Sequence, residues 1–513
     1  MKKLLSFLCV LTLPLALTAC AFRPAAGEKE PARMSTEPEP LSLRVNTCRF
    51  TNQTADAPAS ATAEWFTLTP GVSDNLPPAL AETLSALARE WDGDCRQEAL
   101  NISESAQEYL QEPWATPGME YSFSYLPYVT RADTVAMGVR SEYYSFTGGA
   151  HGYYGSFCYN FDSQTGCELA LEDLVTDTGT LTEILKAALR QEYAEYALDA
   201  AESYFSNFLE GKYSLNWCFE NEGVAFFFNP YDLGSYAEGR QVIHLRFADY
   251  PELFNPAYTV LSPRRAVPFT PDAVLPCDVG GDGTADTVQI LSVPEEEGYY
   301  YRFGVSLNGR ELFPEYGDGY SEESYLLYDH GKYFVYLFVT SDNDYVNLFV
   351  IDLASFTCSG SVNAYDALLD SDFGPEFTSF TTTALTDPAE MLFASRVSVL
   401  GTWSGIKTYS AAENGFPVSA DPDYAVTAME GKELVNAVPF SGLLQTPEGG
   451  TGEKVTVPAG TTLRLARTDG HSYAVLELAD GRLVRTPYDR TAWPYLLDGV
   501  DESLVFNFLP YAG

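Results

Sequence analysis

The stretch TVAMGVRSEYYSFTGGAHGYYGSFCYNF, residues 134–161, gives the first expectation about the fold. Two segments rich in aromatic and β-branched residues, Thr134 to Phe146 and Ser156 to Phe161, predict strands. Gly148-Gly149 stands between them, and glycine takes a positive φ without steric cost. We therefore predict a glycine loop that joins two strands. His151 is expected near its tip, either as a surface hydrogen-bond donor or as a group that satisfies the backbone of the turn.

Helix and strand signals surround this stretch. An apolar stripe at helical spacing follows Pro77-Pro78 and predicts an amphipathic helix; its members are Leu80, Leu84, Leu87 and Trp91. Thr180 and Glu183 fit a capping box at the start of a second helix. Further strands are predicted at Tyr121 to Tyr125, Val224 to Phe228 and Val242 to Phe247. Together these segments predict an α+β domain over residues 41–262.

The rest of the chain is predicted to be mostly β, in two domains. Residues 263–425 carry aromatic strand signals, including a hairpin with its turn at Ser341 to Asp344, and predict an all-β domain. Short strand signals between Lys454 and Thr486 alternate with Asp-Gly turns. This pattern predicts a small SH3-like β-barrel over residues 426–513.

The N-terminus predicts export and a lipid anchor. Two lysines precede a short apolar run, and Leu17-Thr18-Ala19-Cys20 is typical of a bacterial lipobox. Residues 1–19 are therefore interpreted as a lipoprotein signal peptide and Cys20 as the lipidated residue. Residues 20–40 are rich in proline and charge, which predicts a disordered tether. We therefore expect an extracytoplasmic protein that is held to the membrane only through its N-terminal lipid.

The charge balance restricts the partners. Lys and Arg number 30 and Asp and Glu 71, so the net charge is −41. Such a surface repels nucleic acid and anionic lipid and attracts basic proteins. The same charge is also compatible with a role in solubility alone.

Seven of the nine cysteines would remain after signal removal and lipidation of Cys20. Their spacing is sparse and contains no C-x-x-C pair, so they do not predict a disulfide framework. Cys158 and Cys167 flank a predicted turn, and two interpretations stay open for them: a disulfide across a hairpin, or small buried hydrophobic residues.

Two motifs resemble one known family. The first runs from Tyr143 through Gly148-Gly149-Ala150-His151 to Leu171-Glu172-Asp173-Leu174, and the second is Phe227 to Gly239, FFNPYDLGSYAEG. Both are similar to motifs of the extracellular domain shared by lysozyme-sensing anti-sigma factors and certain peptidoglycan deacetylases. The resemblance covers roughly Phe66 to Tyr250. It implies a domain that binds a protein such as lysozyme, or cell-wall material.

On this resemblance, five residues are the candidate contacts with a partner: Gly148, Gly149, His151, Tyr231 and Tyr236. Tyr231 and Tyr236 are favoured because tyrosine offers a rigid, amphipathic contact area. Gly234-Ser235 stands where family members often carry Ala-Pro, which predicts a less rigid loop here.

Signals for catalysis and metal binding are weak. The four histidines are scattered over the chain, and the sequence contains no H-E-x-x-H, G-x-S-x-G or phosphate-binding loop. Asp278, Asp282 and Asp286 have the spacing of calcium-loop ligands, with Gly283 at the bend, and make Ca²⁺ a candidate ligand. Gly280 and Gln289 depart from that pattern, so an Asp-Gly turn between strands is the alternative.

The leading functional hypothesis is therefore a non-catalytic, lipid-anchored envelope protein that binds a basic protein such as lysozyme, or peptidoglycan. One alternative is a cell-wall hydrolase or esterase that uses a pair of carboxylates, which have no local sequence signature. Another is a scaffold that binds peptide or glycan through its C-terminal region.

Overall fold

A computed structural model describes the chain at residues 37–52, 60–73, 75–116, 118–193, 196–270, 273–295, 299–341, 345–427, 433–445 and 451–511. Strands account for 48% of these described residues and helices for 17%, so the described part of the protein is mostly β. The predicted signal peptide, Cys20, most of the predicted tether and most of the turn at 341–344 lie outside the described residues. Within those ranges, no helix has the length and apolar character that crossing a membrane requires.

The first part of the chain builds a sheet with a long helix against it. Its elements are β1 (Leu43–Thr51), β2 (Ala61–Pro70), α1 (Pro78–Leu110), β3 (Tyr121–Ala132), β4 (Ala136–Phe146) and β5 (Tyr153–Asp162). β2 and β3 pair in parallel, and α1 forms the crossover between them. The predicted amphipathic helix is confirmed, and Leu80 and Leu84 are buried on its inner face. The strands predicted on both sides of the glycine loop are β4 and β5, which pair antiparallel.

A smaller sheet and a group of helices follow. The elements are α2 (Leu171–Leu174), α3 (Thr178–Glu192), α4 (Tyr196–Leu209), β6 (Asn216–Phe219), β7 (Gly223–Phe228), a 3₁₀ turn (Tyr236–Glu238), β8 (Gln241–Arg246) and α5 (Pro256–Thr259). α3 begins earlier than predicted because Asp177, rather than Thr180, caps it: the Asp177 carboxylate accepts from the amides of Gly179 and Thr180. Buried side chains of the helices and of the β6–β7–β8 sheet, including Leu185, form one core.

The middle of the chain forms two further sheets. Their strands are β9 (Arg264–Pro268), β10 (Val274–Cys277), β11 (Asp286–Pro294), β12 (Tyr301–Leu307), β13 (Arg310–Leu312), β14 (Asp318–Gly319), β15 (Ser321–Asp329), β16 (Lys332–Ser341), β17 (Tyr345–Asp352) and β18 (Thr357–Asn363). One sheet has the order β10-β11-β12-β13, and the other has the order β18-β17-β16-β15-β9. β16 is buried along most of its length, as its run of aromatic and branched residues predicts.

Two strands from this part return to the first sheet. After β19 (Tyr365–Asp366) the chain forms β20 (Asp370–Phe373) and β21 (Phe377–Thr383), and β21 pairs antiparallel with β1. The first sheet thus has the order β20-β21-β1-β2-β3-β4-β5. This pairing crosses the domain boundary that the sequence predicts at residue 262. It covers an edge of β1 that an independent N-terminal domain would expose.

The C-terminal part is an extended, open sheet. Its elements are β22 (Met391–Ser398), β23 (Thr402–Ala411), β24 (Pro417–Val418), β25 (Tyr424–Val426), β26 (Leu434–Val435), β27 (Phe440–Gln445), β28 (Thr451–Val457), β29 (Thr462–Thr468), β30 (Tyr473–Leu478), β31 (Leu483–Asp489), β32 (Leu496–Leu497), β33 (Val500–Asp501) and α6 (Glu502–Val505). The SH3-like barrel is not confirmed. Among the described strands, β28 pairs with β27 at one end, while β25 connects the sheet to β23 and β22 instead of closing it.

Candidate functional site

The two sequence motifs meet on one exposed surface, which we call the aromatic platform: Tyr144, His151, Tyr154, Tyr231 and Tyr236. The rings of His151 and Tyr236 stack, with centroids 3.9 Å apart and planes at 21°. Tyr154 meets Tyr236 edge-on at 5.6 Å, and Tyr231 lies 5.9 Å from the same ring. Tyr236 is therefore the centre of the group. The structure brings together the three aromatic residues that the sequence singled out and adds Tyr144 and Tyr154.

The glycine loop shapes one side of the aromatic platform. Gly148 and Gly149 have φ values of 91° and 104°, the conformation for which the sequence predicted glycine. Gly152 is required for a different reason, because a Cβ there would lie 2.7 Å from the ring of Tyr144. The Nδ1 atom of His151 donates to the carbonyl oxygen of Gly152 at 2.9 Å. This bond agrees with the second of the two alternatives, a histidine that satisfies the backbone of the turn, while the role of His151 as a surface donor stays a prediction.

The second motif forms a closing loop, residues 229–239, that is fastened to β5. The Asn229 side chain pairs with the backbone of Ser156, accepting from its amide at 2.8 Å and donating to its carbonyl at 3.0 Å. Asp232 in turn accepts from the amide of Asn229 at 2.7 Å. The first pair joins the loop to β5, and the second bond lies within the loop.

Two features of the closing loop explain its sequence. Tyr231 has a φ of 78°, which is rare for a residue with a side chain, and 59% of its surface is exposed. The Glu238 carboxylate folds back and accepts a hydrogen bond from the amide of Ser235. A side chain at position 234 would collide with it, because a Cβ on Gly234 would lie 2.2 Å from a carboxylate oxygen of Glu238. The departure from Ala-Pro therefore has a structural role, since Glu238 takes the space that an Ala side chain would fill.

A buried ion-pair network supports the aromatic platform from below. Glu142 accepts from Arg140 at 2.6 Å and from Arg240 at 2.6 Å, and the Ser156 hydroxyl donates to it at 2.8 Å. Burial raises the pKa of Glu142, but the two guanidinium groups outweigh this effect and hold that pKa below its ordinary value. Arg140 also lies 4.4 Å above the ring of Phe227. Glu142 precedes Tyr144 by two residues on β4, so the two side chains share one face of the strand and the network adjoins the platform.

The closing loop contains one carboxylate with an unusual environment. Burial raises the pKa of Asp232 to about 6, although the amide of Asn229 acts in the opposite direction. The carboxyl that accepts from the Asn229 amide therefore titrates near pH 6.

A second site is an acidic cavity of about 600 Å³ between the first sheet and the middle of the chain. Glu322 and Glu323 of β15 and Asp366 of β19 line it, together with Tyr128 of β3 and Tyr325. Tyr325 donates to Glu323 at 2.5 Å. Sequence reasoning missed this site because acidic residues occur throughout the chain and the cavity joins segments that are far apart in sequence.

The carboxylates of the acidic cavity hold protons more tightly than usual. Desolvation by the surrounding cavity walls raises the pKa of Glu322 and of Glu323. Desolvation and then the neighbouring Glu323 carboxylate raise the pKa of Asp366 well above its ordinary value, although Glu323 and Asp366 both keep contact with solvent. Such shifts are typical of acid–base sites, although structural carboxylates show them as well.

The predicted calcium ligands have other partners. Asp278 accepts from the amides of Asp282 and Gly283, and Asp286 accepts from the amide of Val279 and from Asn308. In the described part of the chain, no three His, Cys, Asp or Glu side chains converge so that they could hold a metal ion. These carboxylates are explained as turn-stabilising groups, in keeping with the Asp-Gly turn alternative.

Comparisons with known proteins concern the region of the closing loop. Residues 172–248 match a family described as "Protein of unknown function (DUF3298)". No curated protein matches the chain. A crystal structure of a DUF3298 member from Bacteroides fragilis is similar, with 17% identity, a TM-score of 0.30 and coverage of 43% of this chain and 94% of that chain. A DUF3298 protein from Pseudomonas aeruginosa PAO1 has 18% identity, a TM-score of 0.27 and coverage of 43% and 96%.

The matched residues include the closing loop with Tyr231 and Tyr236 but not the glycine loop. The resemblance to lysozyme-sensing anti-sigma factors and deacetylases stays a prediction. The chain contains a DUF3298 domain at residues 172–248.

Proposed function

We propose that this protein is a lipid-anchored envelope protein that binds a basic protein of the lysozyme kind through the aromatic platform, without catalysis. The observation that carries the proposal is the meeting of two separate motifs around Tyr236, whose ring stacks on His151. A ring cluster at the surface, supported by a buried ion-pair network, is a preorganised contact area. Rigid aromatic residues of this kind dominate many protein interfaces.

Charge and ring chemistry favour a basic partner. The net charge of −41 attracts a cationic protein and accelerates its encounter. The faces of exposed tyrosines bind Lys and Arg side chains through cation–π contacts, worth about 0.5–1 kcal/mol each at exposed sites. Peptidoglycan is the other ligand that the sequence suggested, since sugar rings also stack on tyrosine. It is therefore the second arm of the test.

The test is a titration of the protein lacking residues 1–19 against hen lysozyme and, separately, against purified peptidoglycan, at low and high salt. Saturable lysozyme binding that slows at high salt and weakens on Tyr236→Ala supports the proposal. Tyr299→Ala is the matched control, because Tyr299 is 81% exposed and lies outside the aromatic platform. If the protein binds peptidoglycan but not lysozyme, peptidoglycan is the partner instead of a basic protein. If it binds neither ligand, the proposal is rejected.

The lipid anchor has a separate test. Mass spectrometry of the protein expressed with its N-terminus in a bacterium should show a diacylated Cys20 as the first residue of the mature chain. Cys20→Ala should release the protein from the membrane fraction. An unmodified Cys20 in the membrane-associated protein would contradict the anchor without affecting the binding proposal.

The acidic cavity supports a second candidate function, hydrolysis of a cell-wall glycan. Because desolvation by the cavity walls raises the pKa of Glu323 and of Asp366, such a carboxyl can stay protonated closer to neutral pH, as a general acid requires. The partner carboxylate would then act as base or nucleophile. Release of reducing ends from peptidoglycan, lost in Glu323→Gln and in Asp366→Asn, supports this function. A preparation that releases no more than a heat-killed control eliminates it.

A further inference from the structure

Two sheets of the protein are tied together by side chains of β5. The Asn160 side chain donates to the carbonyl of Trp217 at 2.8 Å and accepts from the amide of Phe219 at 3.1 Å. Further along, Asn216 donates to the carbonyl of Ser156 at 2.8 Å. β6 therefore lies directly over the face of β5 that carries residues 156, 158 and 160.

This arrangement leaves two cysteines facing each other. Cys158 stands between Ser156 and Asn160, the two residues of β5 that are joined to β6. Cys218 stands between Trp217 and Phe219, the two residues whose backbone groups are hydrogen-bonded to the Asn160 side chain. Cys158 packs against the buried cluster of Cys218, Ala225 and Phe227, and the Cys218 thiol lies 3.1 Å from the Thr130 hydroxyl. Both thiols are free in this structure.

We propose that Cys158 and Cys218 form a disulfide that locks β5 of the first sheet to β6 of the smaller sheet. The oxidant is an external disulfide, such as oxidised glutathione or a thiol oxidoreductase. One cysteine thiolate attacks that disulfide and expels one thiol, and the second thiolate then attacks the mixed disulfide and expels the other. Two electrons and two protons pass to the oxidant, which leaves as two thiols.

The same geometry argues against the bond between Cys158 and Cys167 that the sequence left open. Asp162 donates its amide to the carbonyl of Cys167, and the amide of Leu169 donates to the carbonyl of Asn160. Cys167 therefore lies opposite Asp162, four residues along the strand from Cys158. At about 3.3 Å per residue this is roughly 13 Å, beyond the usual 4.4–6.8 Å between the Cα atoms of a disulfide.

Burial determines when the bond forms. It raises the pKa of Cys158 well above its ordinary value, so the attacking thiolate is rare once the two sheets have packed. Oxidation of the folded, reduced protein is therefore slow. Refolding in the presence of an oxidant, when both thiols are still exposed, is the productive route.

The test is refolding of the full-length mature chain in a glutathione redox buffer, followed by alkylation, non-reducing digestion and mass spectrometry. We expect a peptide in which Cys158 is joined to Cys218, absent in Cys158→Ser and in Cys218→Ser and present in Cys167→Ser. The oxidised protein should also melt several degrees higher than the reduced protein. Cys167→Ser should keep this difference, and Cys158→Ser should abolish it.

Two results would overturn the proposal. One is full alkylation of both cysteines after refolding in oxidised glutathione. The other is a bond that joins either cysteine to a different partner. If the single variants do not fold, the wild-type peptide map alone still decides. Lysozyme or peptidoglycan binding is not needed for any of these measurements, so their outcome is independent of the proposed function.

Discussion

The aromatic platform and the acidic cavity are opposite kinds of site. The platform is a group of rings at the surface, on two loops and on the adjoining ends of β4 and β5, and three of its members, His151, Tyr231 and Tyr236, were singled out from motifs in the sequence. The cavity is recessed and combines β1, β3, β15 and β19, none of which carries a recognisable motif. The contrast teaches that local motifs identify surfaces made by loops, whereas a cavity between sheets becomes visible only when the long-range pairing is known.

The largest expected difference between the two sites is in ligand binding. Tyr231→Ala with Tyr236→Ala should weaken lysozyme or peptidoglycan binding about 30-fold or more, since a lost interface anchor costs about 2 kcal/mol. Glu323→Gln with Asp366→Asn should leave this affinity unchanged. Biolayer interferometry on both double variants measures the difference. If the cavity variant loses more affinity than the platform variant, the binding site has been assigned to the wrong region.

Stability should depend on the attachment of the closing loop. Asn229→Ala removes both hydrogen bonds to the Ser156 backbone; the Ser156 carbonyl keeps Asn216 as a donor, but the buried Ser156 amide loses its acceptor. The free energy of unfolding should fall by about 2 kcal/mol. Denaturant unfolding measures this, with Asn101→Ala, at an exposed hydrogen-bonded asparagine of α1, as the control. An equal loss of unfolding free energy in both variants would show that the loop attachment contributes no more to stability than an exposed side-chain hydrogen bond.

The two regions should share a pH dependence of the same sign. The pKa of Asp232 is about 6 in the folded protein and 3.8 ordinarily, so between these values the folded state binds more protons. The contribution of Asp232 to the free energy of unfolding therefore falls as pH rises from about 4 to 6 and is level above that, whereas Glu142, whose pKa is lowered, contributes in the opposite direction as pH falls. Asp232→Asn should remove about 1–3 kcal/mol of this change.

The pKa values of Glu323 and Asp366 are also raised, so the acidic cavity acts in the same direction. Thermal melts from pH 4 to 7.5 on Asp232→Asn and on Asp366→Asn separate the two contributions. Each variant should be more stable than the parent above pH 6 and similar to it near pH 4. A stability difference between variant and parent that shrinks as pH rises from 4 to 6 would contradict the sign.

The smallest effect concerns the rim of the aromatic platform. Gly152→Ala places a Cβ 2.7 Å from the ring of Tyr144, whose side chain is exposed and therefore moves more readily than the backbone. Affinity should fall a few-fold, with little change in melting temperature. Gly93→Ala is the control, because a Cβ there meets no atom within 4 Å and alanine favours the helix. Unchanged affinity for Gly152→Ala would exclude Tyr144 from the contact area.

Sequence reasoning found the elements that carry strong local signals. The helix at Leu80 and Leu84 and the strands on both sides of Gly148 depend on periodicity and glycine conformation, which act over a few residues. The start of α3 was misplaced because Asp177 and Thr180 are both good caps, and only the structure shows which side chain reaches the free amides. Of the candidate contacts, His151, Tyr231 and Tyr236 are brought together, while Tyr144 and Tyr154 were missed since nothing local distinguishes them from neighbouring tyrosines.

The features that could not be predicted from the sequence depend on contacts between distant segments. The nearness of Cys158 to Cys218 results from the packing of β6 on β5, which no spacing rule encodes. The SH3-like barrel was inferred from strand spacing, but closure depends on which strands pair, and the described strands continue into β23 and β22 instead. The acidic cavity likewise requires that β15 and β19 meet the first sheet.

The pairing of β21 with β1 has a consequence for how the chain folds. Thr381 donates its hydroxyl to the Asn46 side chain across 335 positions of sequence, so the first sheet begins near the N-terminus and is completed only after most of the chain has been made. Contacts of such high contact order form slowly, and until then β1 presents an unpaired strand edge. A chain truncated before residue 370 would keep that edge permanently and is expected to aggregate. The N-terminal half is therefore a poor unit for expression by itself, even though its motifs read as a self-contained domain.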